Sequence, residues 1–237
     1  MSVECGRIAI LVLVESMTIA AADLLGIVTV ERKVTHKQVT SPAGLYQRGL
    51  AVPLGTDSDE DPLSFERSHV VVFIENATRD PAASNPPVVM EQRDRRFVQD
   101  LLVIPAGSAV SFPNSDPIFH NVFSLSKVKS FDLGNYPKGQ TRIVLFLSPG
   151  IVAVYCHLHP NRAASIVVTP GRWGTKADPA GGYVLKDIPA GTYTVVAWHK
   201  FAGTFRRVVR IGPEGDAELD FVLPYVDPPA ADHLAHR

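Results

Sequence analysis

The chain has 237 residues, of which 46% are hydrophobic and 20% are charged, and its formal net charge is −1. This composition excludes an intrinsically disordered chain and allows one large hydrophobic core or two smaller ones. Lys and Arg are scattered, and no basic stripe alternates with aromatic residues, so the sequence indicates no nucleic-acid partner.

The N-terminal segment has the pattern of a secretory signal peptide. Arg7 precedes an apolar run over residues 8–14, and small residues close the segment at Ala22. We predict a leader over residues 1–22 with cleavage after Ala22, although Glu15 interrupts its apolar stretch. The run is shorter than the ~20 apolar residues that a membrane-spanning helix needs. The prediction is therefore a periplasmic or secreted protein with no membrane span in the mature chain.

Cysteine usage restricts the chemistry of such an exported chain. The sequence contains two cysteines, and loss of the leader removes Cys5 and leaves Cys156 alone. No internal disulfide is then possible. A single cysteine in an oxidising compartment is a buried inert residue, an intermolecular bridge or a thiolate that binds a metal.

Most periodic segments after the leader indicate β-strands, because apolar and polar residues alternate and Pro- and Gly-rich turns separate them. No amphipathic helix of useful length is evident. The pattern predicts an all-β chain built from β-sandwiches. The predicted strands are 25–30, 69–74, 101–104, 109–112, 143–147, 151–156, 165–169, 182–185, 193–198, 205–211 and 217–223.

Two stretches rich in Pro and Gly, residues 80–87 and 170–182, bracket a middle unit. Beyond the second stretch, residues 182–193 read Gly-Tyr-Val-Leu-Lys-Asp-Ile-Pro-Ala-Gly-Thr-Tyr. This segment resembles the carboxypeptidase regulatory-like, or transthyretin-like, β-sandwich family.

The resemblance implies a discontinuous outer sandwich with the middle unit inserted into it. Residues 23–82 and 174–224 form this sandwich in the prediction. Residues 225–237 carry little apolar content and are expected to form a flexible tail.

A short motif in the middle unit has the spacing of transition-metal ligands. Cys156 ends a predicted strand, His159 follows three positions later, and Pro160 stiffens the loop. A thiolate and an imidazole in one short loop suit a transition metal. His120, which follows a Pro-containing turn, supplies a second imidazole, since distant strand ends can meet at one rim of a sandwich.

With these two motifs, residues 86–170 resemble the cupredoxins of the plastocyanin and amicyanin type, and most closely a plastocyanin-like group described as methylamine utilisation proteins. The matching features are His-Asn-Val at 120–122 and Cys-x-x-His-Pro at 156–160. The resemblance implies a Greek-key β-sandwich with one mononuclear copper bound by His120, Cys156 and His159. It also implies that Asn121 ties the two ligand loops together.

The chain departs from this family at the axial ligand, because Arg162 stands where amicyanin-like loops carry a Met. A guanidinium group has no lone pair to offer a metal. Three outcomes stay open: a trigonal site with a weak or missing axial group, a different axial group such as a backbone carbonyl near Phe119, or a degenerate site without copper. We expect the first, in which Cu(I) is favoured and the reduction potential is raised.

Two further histidines lie near the predicted chemistry. His157 is between two ligands in a tight loop, and we expect it to point to solvent. His199 follows a strand of the outer sandwich, and we expect a surface histidine at a strand end.

The resemblance implies an electron-transfer or copper-handling protein that is not an enzyme and docks transiently with a redox partner protein near His159. Three alternatives remain. A copper enzyme would need a second centre built from His-x-His pairs on several strands, and only 157–159 has this form. An exported structural module would carry a degenerate copper site. Two His and one Cys with an open position would also describe a zinc site.

Overall fold

The computed structural model describes residues 21–35, 61–78, 86–157 and 163–223. The leader up to residue 20, the predicted tail, His159 and Arg162 lie outside the described residues. Within them nearly all regular structure is β-strand, which confirms the predicted all-β class. No helix among the described residues is long and apolar enough to cross a membrane.

The elements follow one another in three groups along the chain. The first group contains β1 (Ala21–Val30), α1 (Ser64–Ser68) and β2 (Val71–Ile74). The second contains β3 (Val88–Val89), β4 (Gln92–Arg93), β5 (Arg96–Phe97), β6 (Leu101–Pro105), β7 (Ser108–Pro113), β8 (His120–Ser126), β9 (Lys129–Tyr136), β10 (Thr141–Phe146), β11 (Gly150–Tyr155) and β12 (Ala163–Thr169). The third contains β13 (Gly174–Lys176), β14 (Gly182–Pro189), β15 (Gly191–His199), β16 (Gly203–Ile211), β17 (Ala217–Glu218) and β18 (Phe221–Leu223).

The first and third groups form one pair of sheets. In one sheet β1 pairs antiparallel with β14 and parallel with β17 and β18, and the other has the order β13-β2-β15-β16. Strand β1 starts at Ala21, two residues before the predicted cleavage point, and Ala21 is paired with Pro189. Gly26 allows β1 to pass close to the carbonyl of Leu219, where a Cβ atom would collide. Alternate apolar residues of both sheets fill a common core that includes Leu24, Val72 and Ile188.

The second group forms another pair of sheets with its own core. A three-stranded sheet of order β10-β7-β3 faces a five-stranded sheet of order β6-β12-β11-β8-β9. Phe112, Val152 and Ile166 are among the buried residues between them. Strand β9 is absent from the sequence-based prediction, because its residues are half polar and contain no Val or Ile.

A smaller apolar cluster joins the two pairs of sheets. Val71 and Trp198 of β2 and β15 pack against Leu101 and Val167 of β6 and β12. Strand β12 is consequently buried on both faces, and its sequence reads as a nearly continuous apolar run. The five-stranded sheet therefore packs against other strands on both of its faces, and the loops at its ends start from well-packed strands.

Candidate metal centre

His120 and Cys156 lie at the same end of two neighbouring strands in the five-stranded sheet. His120 is the first residue of β8, and Cys156 directly follows β11. These two strands are antiparallel neighbours, with Tyr155 opposite Phe123, so the start of one lies beside the end of the other. His120 is fully buried and Cys156 is 3% exposed. The topology thus brings together two side chains that are 36 positions apart in sequence.

Asn121, which belongs to the first sequence motif, contacts the second motif and strand β9. Its side-chain oxygen lies 3.5 Å from the backbone nitrogen of His157, and its amide nitrogen donates to Asp132 Oδ1 over 2.6 Å. The hydrogen bonds from Gly134 N–H and from Asn121 lower the pKa of Asp132, so this acceptor stays ionised. Asn121 therefore connects the segment of His120 to the loop that begins at Cys156.

His157 strengthens the same connection. Its ring stacks on Phe123 with a centroid distance of 3.6 Å and an interplanar angle of 1°. Its Nε2 atom lies 3.6 Å from Asp132 Oδ2, and its side chain is more than half exposed. The structure therefore agrees with the expectation that His157 faces solvent, and it shows in addition that the ring covers Phe123.

A carboxylate orients the imidazole of His120. Asp116 Oδ2 lies 2.7 Å from His120 Nε2, and both side chains are buried. Burial raises the pKa of Asp116, but the hydrogen bonds from His120 and from two backbone N–H groups outweigh this effect, and the net pKa is below its usual value. An ionised Asp116 accepts a proton from Nε2 and so favours the orientation of the His120 ring in which that nitrogen faces the carboxylate.

Asp116 is in turn held by the tight turn between β4 and β5. The backbone N–H groups of Asp94 and Arg95 donate to its two carboxylate oxygens at 2.7 and 2.8 Å. Both residues adopt positive φ angles, 51° and 59°, which non-glycine residues adopt only at a cost. This backbone conformation points two adjacent N–H groups at one carboxylate.

Asn114 shapes the loop that carries Asp116. Its side-chain oxygen accepts from the backbone N–H of Asp116 at 2.9 Å. Its amide nitrogen donates to the carbonyl oxygens of Ile118 and Tyr136, at 2.9 and 3.0 Å. The loop between β7 and β8 is thereby fixed before any metal is present.

Tyr136 lies behind the centre, opposite His120 in the β8–β9 pair. Its hydroxyl donates to the carbonyl oxygen of Phe112 at 3.0 Å and accepts from Gln92 Nε2 at 2.7 Å. Burial raises the pKa of Tyr136, the Gln92 hydrogen bond opposes the rise, and the electrostatic influence of Cys156 adds to it. Tyr136 therefore stays a neutral phenol close to the candidate ligands His120 and Cys156.

The residues that the structure places here fit a thiolate-imidazole metal site. Cys156 forms no disulfide, and His120 is a buried imidazole whose Nε2 atom contacts Asp116. These two donors, together with the His159 imidazole predicted from sequence, form the set that blue-copper sites use. Among the residues with described positions, no group of three or more His, Cys, Asp and Glu residues is close enough to hold a metal.

Comparison with known proteins gives matches among solved structures alone. No family model matches the chain, and no curated protein matches it. A copper-containing nitrite reductase (NirK) from Thermus scotoductus SA-01 aligns with 23% identity and a TM-score of 0.34, covering 38% of this chain and 25% of the reductase. The chain thus spans a quarter of the length of that protein.

Several amicyanins also align. The amicyanin from Paracoccus versutus is 20% identical, with a TM-score of 0.34, over 43% of this chain and 98% of its own. A methionine-to-alanine variant of amicyanin in the Cu(I) state is 19% identical, with the same TM-score, over 41% of this chain and 97% of its own. These TM-scores are low, and the case for copper therefore depends on the residues of this chain. The resemblance of the flanking segments to carboxypeptidase regulatory-like sandwiches stays a prediction.

Two features of the structure differ from the sequence-based interpretation. His199, expected at the surface, is 1% exposed, and its Nε2 atom lies 3.4 Å from the fully buried carboxylate of Glu66. It is buried because α1 carries Glu66 against the end of β15. The sequence-based interpretation does not include Asp116. A carboxylate four positions before a candidate His ligand could have indicated a hydrogen-bond partner of that histidine.

Proposed function

We propose that the chain is an exported mononuclear copper protein that transfers electrons or carries copper, with His120, Cys156 and His159 as ligands. The observation that supports this proposal is the hydrogen bond from the His157 backbone N–H to the Asn121 side chain, because it joins the residue after the buried His120 to the residue after the buried Cys156. A bound copper would supply one-electron redox chemistry at that position.

The protein's part in this function is to keep the ligands in one geometry. Asp116 fixes the tautomer and the ring orientation of His120, and Asn121 ties the two loops together. Burial of Cys156 keeps water from its sulfur. A site whose ligands are held by packing and by outer hydrogen bonds changes little when the metal gains or loses an electron, which favours rapid transfer.

Arg162 sets the expected character of the site. The guanidinium cannot replace the axial Met of amicyanin-like loops, so the proposed coordination is trigonal, with two imidazoles and one thiolate. Such a site favours Cu(I) over Cu(II). We therefore expect a reduction potential above that of a related site with an axial Met.

A redox partner protein is proposed to dock transiently at the edge of His159. Two exposed rings support this position among the described residues: Phe119, next to the ligand His120, is 57% exposed, and Tyr155, next to Cys156, is 37% exposed. Apolar and aromatic surface around a site suits a small, short-lived interface. Export to the periplasm or the medium belongs to the same proposal and depends on the leader pattern of residues 1–22.

Metal stoichiometry tests the proposal. Purified full-length protein is titrated with Cu(II) and then with Cu(I), and bound metal is counted after removal of loosely held ions. We expect one copper per chain, and His120→Ala and Cys156→Ala to lose it. His157→Gln is the matched control, because it changes a histidine of the same loop that is not a proposed ligand, and it should keep one copper.

Three results would contradict the proposal. A wild-type chain that binds no copper would show a degenerate site. Two tightly bound coppers per chain would favour a copper enzyme. Preferential retention of zinc over copper in a competition experiment would favour a zinc site.

A further inference from the structure

A cavity lies between the two pairs of sheets, away from the buried core of either. Its volume is about 240 Å³. Leu101 and Ser165 line it from the five-stranded sheet, and Phe65, Trp198 and Phe201 line it from the other side. Ala163, which also lines it, pairs with Tyr155 at the end of β11, so the cavity opens at the same end of the sheet as Cys156. Ligand sites occur preferentially at such interfaces.

The size and the walls of the cavity suit a single aromatic ring. Engineered apolar cavities of about 150 Å³ bind benzene, so a cavity of 240 Å³ has room for a ring with one or two substituents. Three aromatic side chains, Phe65, Trp198 and Phe201, form a large part of the wall. Aromatic walls favour a ring by offset or edge-to-face contact over an aliphatic molecule of equal volume.

The aromatic faces do not form a cage for a cation. The ring of His69 already stacks on Phe65, with a centroid distance of 4.0 Å, and Lys200 Nζ lies 5.4 Å from the centre of the Phe201 ring. Two of the three rings therefore already have a cationic or ionisable group on one face. A further cation would be repelled by Lys200, whereas a neutral ring would not.

His199, a buried polar residue that lines the cavity, and its partner Glu66, which does not line it, already have hydrogen-bond partners. Glu66 accepts from the backbone N–H and the hydroxyl of Thr35, at 2.9 and 2.8 Å. His199 Nδ1 accepts from the N–H groups of Phe201 and Ala202, at 3.3 and 3.2 Å, so in the neutral ring the proton is on Nε2 and faces Glu66. His199 therefore has little capacity left to bind a ligand.

Asp100 is the polar group that a ligand can use. Its two oxygens are each 3.1 Å from His69 Nε2, and its side chain is 54% exposed. A carboxylate has about four acceptor sites, of which the His69 ring N–H occupies at most two, and the backbone N–H of Asp100 itself also donates to this carboxylate. The remaining sites would accept a hydroxyl proton strongly, because a hydrogen bond to a charged acceptor is stronger than one between neutral groups. The same charge disfavours an anionic group beside Asp100.

We propose that this cavity binds a small neutral phenol, with its ring between Trp198, Phe65 and Phe201 and its hydroxyl group donating to Asp100. This site is separate from the proposed copper centre and goes beyond the proposed function. The bound phenol would lie at the end of the five-stranded sheet that also carries Cys156.

Calorimetric titration of the copper-free, full-length protein tests the proposal with 4-methylphenol as the probe. We expect saturable binding of one molecule per chain. 4-Methylanisole has the same ring but no hydroxyl proton, and it should bind about tenfold more weakly. Trp198 fluorescence should change on binding, and the response should disappear in Trp198→Phe but persist in Trp173→Phe.

Variants of residues inside and outside the cavity test whether the ligand binds there. Asp100→Asn keeps the shape and removes the charge, and it should weaken 4-methylphenol binding about five- to tenfold without changing that of 4-methylanisole. Phe201→Ala alters an exposed wall residue and should weaken both probes. Glu214→Gln, an exposed carboxylate in a turn outside the cavity, is the matched control and should leave both affinities unchanged.

The folding of each variant is checked by circular dichroism before titration. Absence of saturable binding of 4-methylphenol would overturn the proposal, as would equal affinity for the two probes or tighter binding of 4-methylbenzylammonium. None of these results depends on copper, so failure of this proposal and failure of the copper proposal are distinguishable.

Discussion

Asp116 Oδ2 lies 2.7 Å from His120 Nε2, and the same carboxylate accepts the N–H groups of Asp94 and Arg95. This arrangement makes the orientation of the proposed ligand dependent on a turn 25 residues upstream. A carboxylate that accepts from a metal-binding histidine raises its basicity and fixes its tautomer. Several consequences of this arrangement can be measured.

Asp116→Asn should weaken copper binding without removing it. The amide is neutral and no longer selects the Nε2–H tautomer of His120, and outer-shell changes of this kind typically cost 10–100-fold in metal affinity. Competition with a chelator of known affinity measures the loss. Asp216→Asn is the matched control, because Asp216 accepts a backbone N–H in the other pair of sheets. Equal affinity of Asp116→Asn and wild type would show that Asp116 has only a structural role.

The turn at Asp94 and Arg95 should be sensitive to the shape of its residues. Arg95→Val places a β-branched residue at a φ of 59° and should lower the free energy of unfolding by about 1–3 kcal/mol. Arg95→Gly relieves that conformational restriction and should leave stability nearly unchanged or slightly raised. Urea unfolding of the copper-free protein measures both. A loss in Arg95→Gly equal to that in Arg95→Val would instead assign the effect to the arginine side chain.

Gln92 and Tyr136 form a buried polar pair that a double-mutant cycle can resolve. Tyr136→Phe leaves Gln92 Nε2 buried without its acceptor, and Gln92 Oε1 already has no partner among the described residues. We expect a loss of about 1–3 kcal/mol in the free energy of unfolding. Adding Gln92→Met to Tyr136→Phe removes the stranded amide and should recover part of that loss. Strict additivity of the two changes would show that the hydrogen bond contributes nothing.

The buried pair of Glu66 and His199 should contribute a pH dependence of stability. Burial lowers the pKa of His199 from its ordinary value of 6.5, Glu66 opposes the shift and His69 adds to it. The folded state therefore binds fewer protons than the unfolded state, and the contribution of His199 is complete above pH 6.5 and decreases as pH falls below that value. The slope from this one group is at most about 1.4 kcal/mol per pH unit.

His69 acts in the opposite direction. Burial lowers its pKa, but the hydrogen bonds to Asp100 and to the Phe65 carbonyl outweigh this, and the net pKa is raised. Its contribution is therefore present below pH 6.5 and is lost as pH rises through the folded-state pKa. Because His69 and His199 have opposite effects, the pH dependence of the wild type alone does not isolate His199. The free energy of unfolding in urea is therefore measured for His199→Gln and for the wild type, each at pH 5.0 and 7.5. The variant should lose less stability at pH 5.0, and an identical loss in both would refute the assignment to His199.

The sequence predicts those features of the molecule that depend on short, local patterns of residues. Alternation of apolar residues gives the all-β class, and the spacing of Cys156 and His159 with an upstream His120 gives a candidate ligand set. Strand β9 escapes prediction because Lys129, Asp132 and Asn135 give it the composition of a loop. It forms a strand because it pairs with β8 along the edge of an otherwise complete sheet.

The hydrogen bonds that position the candidate ligands join segments that are distant in the sequence. Local sequence patterns do not reveal such contacts. The charged stretch around Asp94 and Arg95 has the composition of a solvated turn, yet its N–H groups hold Asp116. His199 looks like an exposed residue at a strand end, and only the packing of α1 makes it a buried partner of Glu66. Both features arise from tertiary structure and become visible when the elements are assembled.

The proposed copper site, with Cys156 as its thiolate ligand, is tested most directly by one absorption spectrum of the protein after addition of Cu(II). A thiolate bound to Cu(II) gives an intense charge-transfer band in the visible range. We predict this band in the wild type and in His157→Gln, and its absence in Cys156→Ser. A copper-loaded wild type with only weak bands, or a Cys156→Ser variant with the same spectrum as the wild type, would contradict the proposed site.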